Sequence, residues 1–232
     1  MKIIGLIGGM SWESSLEYYR LVNAGVKARL GGLHSAKCVL VSVDFAEIEA
    51  LQSSARWVEA GQCMAEAAQS LERAGAEGVV LCTNTMHKLA DQIEAAVRIP
   101  FLHIADATAE KVKAAGLSRV GLLGTRFTME QDFYAGRLRD RHGLEVLTPP
   151  ETERETVHRV IYDELVLGQI KAASRAAFAG IMRGLAARGA QGIILGCTEI
   201  GLLVGQADSP VPLFDTTRIH AEAAVDWAVG EG

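Results

Sequence analysis

The stretch AGAEGVVLCTNT (74–85) is matched by RGAQGIILGCTE (188–199), 114 residues further on in a chain of 232. Each segment carries a short apolar run, GVVL or GIIL, and then a cluster of small polar residues. A continuous apolar run of this length reads as a strand buried on both faces of a parallel sheet, with a polar loop at its carboxyl end. Two further blocks repeat in step. IIGLIGGM (3–10) matches VGLLGTRF (120–127), and IPFL (99–102) matches VPLF (211–214) at an offset of 112. Three matched blocks in the same order predict an α/β protein of two pseudo-symmetric lobes, each a short parallel sheet flanked by helices.

The segments between the strands support this. Amphipathic helical patterns run over 12–30, 57–74, 86–97, 128–142, 151–188 (two helices) and 217–229, alternating with the runs IIGLIG, CVLVSVD, GVVLC, VGLLG, LEVL and GIILGC. The spacing predicts a first lobe of residues 1–99 plus 208–232 and a second lobe of 100–207, with the last helix returning to the first lobe. The site is expected in a cleft between the lobes, because parallel α/β sheets bind ligands beyond the carboxyl ends of their strands.

Aligning the repeats sets Leu81 on Leu195, Cys82 on Gly196 and Thr83 on Cys197. Side chains alternate faces along a strand, so one residue of offset reverses direction. If Cys197 faces the ligand, its counterpart is Thr83, and Cys82 turns back into the lobe as a small buried hydrophobe.

Composition narrows the chemistry. The chain is 49% hydrophobic with a net charge of -5 and no basic cluster, which argues against a nucleic-acid groove or an anionic membrane surface. The apolar stretches are strand-sized, and Met1-Lys2 leads directly into IIGLIGG, so neither a membrane span nor a secretory leader is expected. The four cysteines (Cys38, Cys63, Cys82, Cys197) form no CxxC, which fits reduced thiols in a cytoplasmic enzyme and no zinc site. Cys38 and Cys63 read as core residues.

The expected strand-end loops, GGMS (8–11), SVDFAE (42–47), CTNT (82–85), LGTRFTM (123–129) and GCTE (196–199), offer hydroxyls, an amide and backbone N–H groups at helix starts, an environment for a small carboxylate. They offer no metal-ligand cluster and no Schiff-base lysine, and GLIGGM spaces its glycines unlike a dinucleotide fingerprint. Small-molecule chemistry without a cofactor is the expectation.

Over essentially its whole length the chain resembles the aspartate/glutamate racemases, amino-acid racemases that work without pyridoxal phosphate. The likeness rests on IGLIGGMSWESS, on Thr83-Asn84-Thr85-Met86-His87 and on Gly196-Cys197-Thr198-Glu199. It implies an amino-acid substrate, a homodimer, and two cysteines, one per lobe, on opposite faces of the substrate α-carbon. It places Cys197 as the second-lobe acid/base and Asn84, Thr85 and Thr198 against the substrate carboxylate. Met10, Ser11, Gln52, Thr83, Thr125 and Glu199 complete the expected contacts.

The chain departs from the family pattern at Thr83, where a cysteine is expected. A threonine hydroxyl is about as weakly acidic as water, whose pKa is roughly 15.7, and is no general base at neutral pH. Three readings stay open: a racemase with Thr83 as a weak acid, kinetically favouring the L-substrate; recruitment of Cys82 to the cleft; or a single-cysteine decarboxylase or cis–trans isomerase, or an impaired amino-acid-binding protein. A second departure is Val166, where many aspartate racemases carry a lysine. Gln52 and Arg56 are the nearest candidates for the side-chain anchor, and a preference extending to uncharged polar amino acids follows. His87 reads as a supporting hydrogen-bonding residue or a tuner of the site, Ser11 as a helix cap, and Arg126 as a solvated loop residue. Glu199 is open between proton steering, amine contact and helix capping, and Thr125, the repeat partner of Gly9, is compatible with a cleft hydroxyl without being compelled to be one.

Overall fold

The computed structural model describes residues 1–230. In chain order the elements are β1 (Ile4–Gly8), α1 (Trp12–Leu30), β2 (Cys38–Ser42), α2 (Phe45–Ser53), α3 (Trp57–Arg73), β3 (Gly78–Leu81), α4 (Ala90–Ala96) and β4 (Phe101–Leu102). They continue with α5 (Ile104–Ala114), β5 (Arg119–Gly124), α6 (Arg126–Glu130), α7 (Asp132–His142), β6 (Glu145–Leu147), α8 (Glu151–Asp163) and α9 (Ala172–Ala187). The chain closes with β7 (Gly192–Gly196), α10 (Ile200–Leu203), β8 (Leu213–Asp215) and α11 (Thr216–Val229). The strands form two sheets ordered β2-β1-β3-β4 and β6-β5-β7-β8. Every pairing is parallel. The expected α/β class and duplicated layout are therefore what the chain adopts.

The chain divides into a first unit of Met1–His103 with His220–Gly232 and a second of Ile104–Ile219. The boundary differs from the expected return at 208. β8 pairs with β7 through Ile193↔Leu213 and Leu195↔Asp215, so residues 208–219 stay with the second unit. Helix α5 occupies a stretch to which the sequence pattern gave no element, and α7 starts anew after the extended residue Gln131 inside the expected 128–142 helix.

In the first unit, Ile4, Leu6, Val80 and Cys82 pack with Tyr18, Val22 and Val26 of α1 and with Ala221, Ala224 and Val225 of α11. On the opposite face Ile7, Val79 and Leu81 meet Met64, Ala68 and Leu71 of α3 and Ile93 of α4. The period of two is visible in that division: neighbouring residues of β3 go to different cores. In the second unit, Val120, Leu122 and Ile194 pack with α5 and α7, and Leu123, Ile193, Leu195 and Cys197 with α8 and α9. Thus α5, which follows β4, completes the second unit's core, whereas α11, which follows β8, completes the first unit's.

At the end of β1, Gly9 has φ +96, and a Cβ there would lie 2.1 Å from the carbonyl oxygen of Val43. Only glycine supports that close turn. Its N–H donates to Ser15 Oγ at 2.7 Å, fixing the entry into α1.

Candidate active site

The strand registers equate the two carboxyl-end loops without reference to sequence similarity. Ile7 pairs with Leu81 in the first sheet, and Leu123 pairs with Leu195 in the second. Thr83 and Cys197 each stand two residues beyond those leucines, so they are structural counterparts. Cys82 corresponds to Gly196, where an added Cβ would lie 2.9 Å from both Leu122 Cδ1 and Leu123 O.

Cys82 is fully buried in the core formed with Ile4, Leu6 and Val80, its sulfur 4.0 Å from the Val80 carbonyl. The Ser14 hydroxyl donates to its backbone oxygen at 2.8 Å. Burial, with a smaller contribution from nearby Cys38, pushes the Cys82 thiol far above its ordinary range. This side chain packs; it is not a thiolate.

Thr83, Asn84 and Thr85 follow β3 as a buried polar run. His87 lies in the 3-10 turn Thr85–Leu89, and its Nδ1 is 2.8 Å from the Thr83 carbonyl. A carbonyl only accepts, so Nδ1 carries the proton. At the first glycine turn Ser11 caps α1, accepting from the Ser14 N–H at 3.3 Å, and Met10 is buried in the core beside Ile7. Gln52 is buried on α2, its amide donating to Met86 sulfur at 2.9 Å. Arg56 is exposed and engaged with Glu59 across 2.6 Å, while Val166 packs against the second unit's core.

In the second unit Thr125 caps α6, accepting from the Thr128 N–H at 3.3 Å, and is buried; Arg126 is exposed. Cys197 lies just past β7, 8% exposed, with its sulfur 3.1 Å from Oε2 of buried Glu199. The Thr198 hydroxyl donates to the same oxygen at 2.6 Å. Glu199 makes no side-chain cap to α10. It is turned to the thiol.

The charge balance at Cys197 is set by burial and by its carboxylate neighbour. Burial pushes this thiol well above its ordinary value, and the Glu199 carboxylate adds to the effect through its charge and hydrogen bond. The backbone N–H groups of Glu199 and Thr198 pull the other way and are outweighed. Cys197 therefore rests as a thiol that donates to Glu199.

Sequence reasoning gave no place to Thr216 and Thr217 at the end of β8. The Thr216 hydroxyl donates to Leu195 O at 2.7 Å, tying β8 to β7 beside the cysteine loop. Thr217 is 2% exposed, and its hydroxyl has no hydrogen-bond partner. The match of VPLF to IPFL pointed to this strand end, but not to the threonines. Among the described residues no group of three His, Cys, Asp or Glu is placed to hold a metal ion, and no helix is long and apolar enough to cross a membrane.

Two units, each with a parallel four-stranded sheet whose third strand ends in a polar loop of equivalent register, define the two-lobed racemase type of fold. The chain belongs to the Asp/Glu/Hydantoin racemase family, whose pattern matches residues 7–224. A Yersinia pestis protein provisionally assigned as an Asp/Glu racemase superposes with a TM-score of 0.93 at 61% identity, over 99% of this chain and 100% of that one. An aspartate racemase homologue from Pyrococcus horikoshii superposes at 0.85 with 35% identity, over 98% and 99% of the two chains. An arylmalonate decarboxylase variant, at 0.57 and 16% identity over 100% and 94%, shares the fold alone.

Proposed function

We propose that this chain is a cofactor-independent amino-acid racemase acting on aspartate, glutamate or a wider set, with Cys197 as principal acid/base and Thr83 in the place of the second cysteine. The observation that carries this is the register equivalence of Thr83 and Cys197, together with the burial of Cys82 in the core. Racemisation needs a proton-transfer group on each face of Cα, and equivalent loops of a duplicated fold supply one from each half.

Cys197 becomes a base when its proton moves to Glu199 Oε2, the acceptor it already faces at 3.1 Å. A substrate ammonium bound beside Glu199 offsets the carboxylate charge and draws the thiol pKa down. The backbone N–H groups of Thr198 and Glu199 then stabilise the sulfur anion. Asn84 and Thr85 hold the α-carboxylate as charge develops on it, and the Thr198 hydroxyl turns to join them once Glu199 has taken the thiol proton. Thr125, Gln52, Met10 and Ser11 shape the remainder, the last two chiefly by fixing the glycine turn. With Arg56 engaged at the surface and Val166 apolar, no dedicated cation among the expected anchors demands an acidic substrate side chain, which favours a broad preference.

Thr83 returns a proton slowly, directly or through water, so the two faces are unequal. Free enantiomers are equally stable in water, so kcat/KM must match in the two directions and the inequality falls on kcat and KM separately. By analogy with the family, Cys197 serves the L-substrate. The protein acts in the cytoplasm as a homodimer, supported by an apolar stripe on α1: Trp12, Leu16 and Tyr19 are 64%, 57% and 50% exposed.

Incubation of pure L- and D-substrates in heavy water tests the reading. Solvent deuterium at Cα with loss of optical purity is expected. Release of CO2 from a malonate-type acid without such exchange would establish the decarboxylase instead, and binding without turnover a receptor.

A further inference from the structure

Three histidines far apart in sequence are buried together in the first unit: His87, His103 and His220. The His87 ring centroid lies 4.6 Å from that of His103, 5.8 Å from that of His220 and 5.4 Å from that of Phe101. Their places in the chain are particular. His103 is the last residue before the chain passes to the second unit, and His220 is the first after it returns. Both chain crossings thus abut one ring, that of His87, and His87 is bonded to the loop carrying Thr83.

The hydrogen bonds fix two of the three tautomers. His220 Nε2 is 2.8 Å from Leu102 O and must donate, so its Nδ1 accepts from the Tyr18 hydroxyl at 2.8 Å. His87 Nδ1–H donates to Thr83 O. The protonated nitrogen of His87 and both nitrogens of His220 are therefore committed. The cluster is not arranged as a metal site, and its chemistry is that of a scaffold.

We propose that His87 is a positioning residue for the Thr83 face of the reaction: its Nδ1–H fixes the Thr83 carbonyl, and the rings of His103, His220 and Phe101 hold His87 in place. The inference rests on the racemase reading. Holding the carbonyl sets the direction in which the Thr83 hydroxyl and the Asn84 amide leave the strand, on the face whose proton donor is already weak. Cys197 belongs to the other unit.

The two faces can be read separately. In heavy water the L-substrate gives deuterated D-product when protonated from the Thr83 face, and deuterated L-substrate when Cys197 returns deuterium to its own face. Replacing His87 by Asn keeps an N–H donor close to the place of Nδ1, whereas His87→Gln carries its amide toward the place of Nε2. His87→Gln and His87→Leu should lower the D-product to deuterated-L ratio by at least about tenfold, the scale of a small misplacement of a reacting group. His87→Asn should stay within about twofold of the wild-type ratio, so that the loss tracks one donor position. An unchanged ratio in the folded Gln variant, or equal losses in the Asn and Gln variants, would overturn the inference while leaving the racemase reading intact. Absence of any exchange in the wild-type protein would remove both.

Discussion

The sulfur of Cys197 and Oε2 of Glu199 stand 3.1 Å apart, and that carboxylate oxygen also accepts the Thr198 hydroxyl at 2.6 Å. The carboxylate both raises the thiol pKa and offers its proton a destination. Glu199→Gln separates these effects. Without the negative charge the thiol should ionise at lower pH, so the pH midpoint for alkylation of Cys197, followed by peptide mass spectrometry, should move down. Turnover should nevertheless fall by about 10²-fold, the usual contribution of a positioned proton acceptor. An upward or absent shift of the midpoint would contradict the assigned role of the carboxylate.

Cys82 is packed in the core and its neighbour Thr83 is the register counterpart of Cys197, and substitution should tell them apart. Cys82→Ala should leave racemisation near wild type and cost about 1–2 kcal/mol of stability, a modest core truncation. Thr83→Cys should raise the rate of D-product formation, and Cys197→Ala should lower exchange by about 10³-fold. Activity loss in Cys82→Ala with a normal melting curve would reinstate Cys82 as a participant.

His220 imposes a pH dependence on stability. Burial, opposed weakly by its bond to Leu102 O, lowers its pKa from 6.5 to about 4. Above pH 6.5 the ring is neutral in both folded and unfolded chains and costs nothing. As pH falls from 6.5 toward 4, the unfolded chain takes up a proton that the folded one refuses, so stability declines. The loss reaches about 3 kcal/mol below the folded pKa. Urea unfolding across this window should show the decline in the wild type and a flatter curve in His220→Gln, itself less stable at neutral pH. Parallel curves would show that the ring titrates normally.

Trp12, Leu16 and Tyr19 recur at helical spacing on the exposed side of α1, and a single charge should break a contact made there. Light scattering should give a dimer mass for the wild type and for Leu16→Met, and a monomer mass for Leu16→Glu. A dimer that survives Leu16→Glu would place the interface elsewhere.

Much of this was legible in the sequence because it depends on a period of two. Val79, Val80, Leu81 and Cys82 alternate between two cores, and counting from a matched leucine was enough to assign Cys82 to packing and to pair Thr83 with Cys197. The duplicated glycine turns and apolar runs likewise gave both sheets. Helix α5 was not legible because its buried face is Ile104, Ala105, Thr108, Ala109 and Val112, in which small residues give little contrast between inside and outside. The unit boundary was misplaced because three residues, Leu213–Asp215, owe their place to pairing with a strand some twenty residues earlier. The elevated Cys197 thiol depends on burial and on the turn of Glu199 toward it, neither of which spacing encodes. The histidine cluster joins positions 87, 103 and 220, which only the tertiary fold brings into contact.

The exchange of helices α5 and α11 puts the covalent repeat and the folded unit out of phase. Residues 1–114 contain one full set of strands, yet of the two helices that cover Ile4 and Leu6 one, α11, is encoded at the far end of the chain. A fragment ending at residue 114 would therefore lack Ala221, Ala224 and Val225 over that face, and its first core would stay open to water.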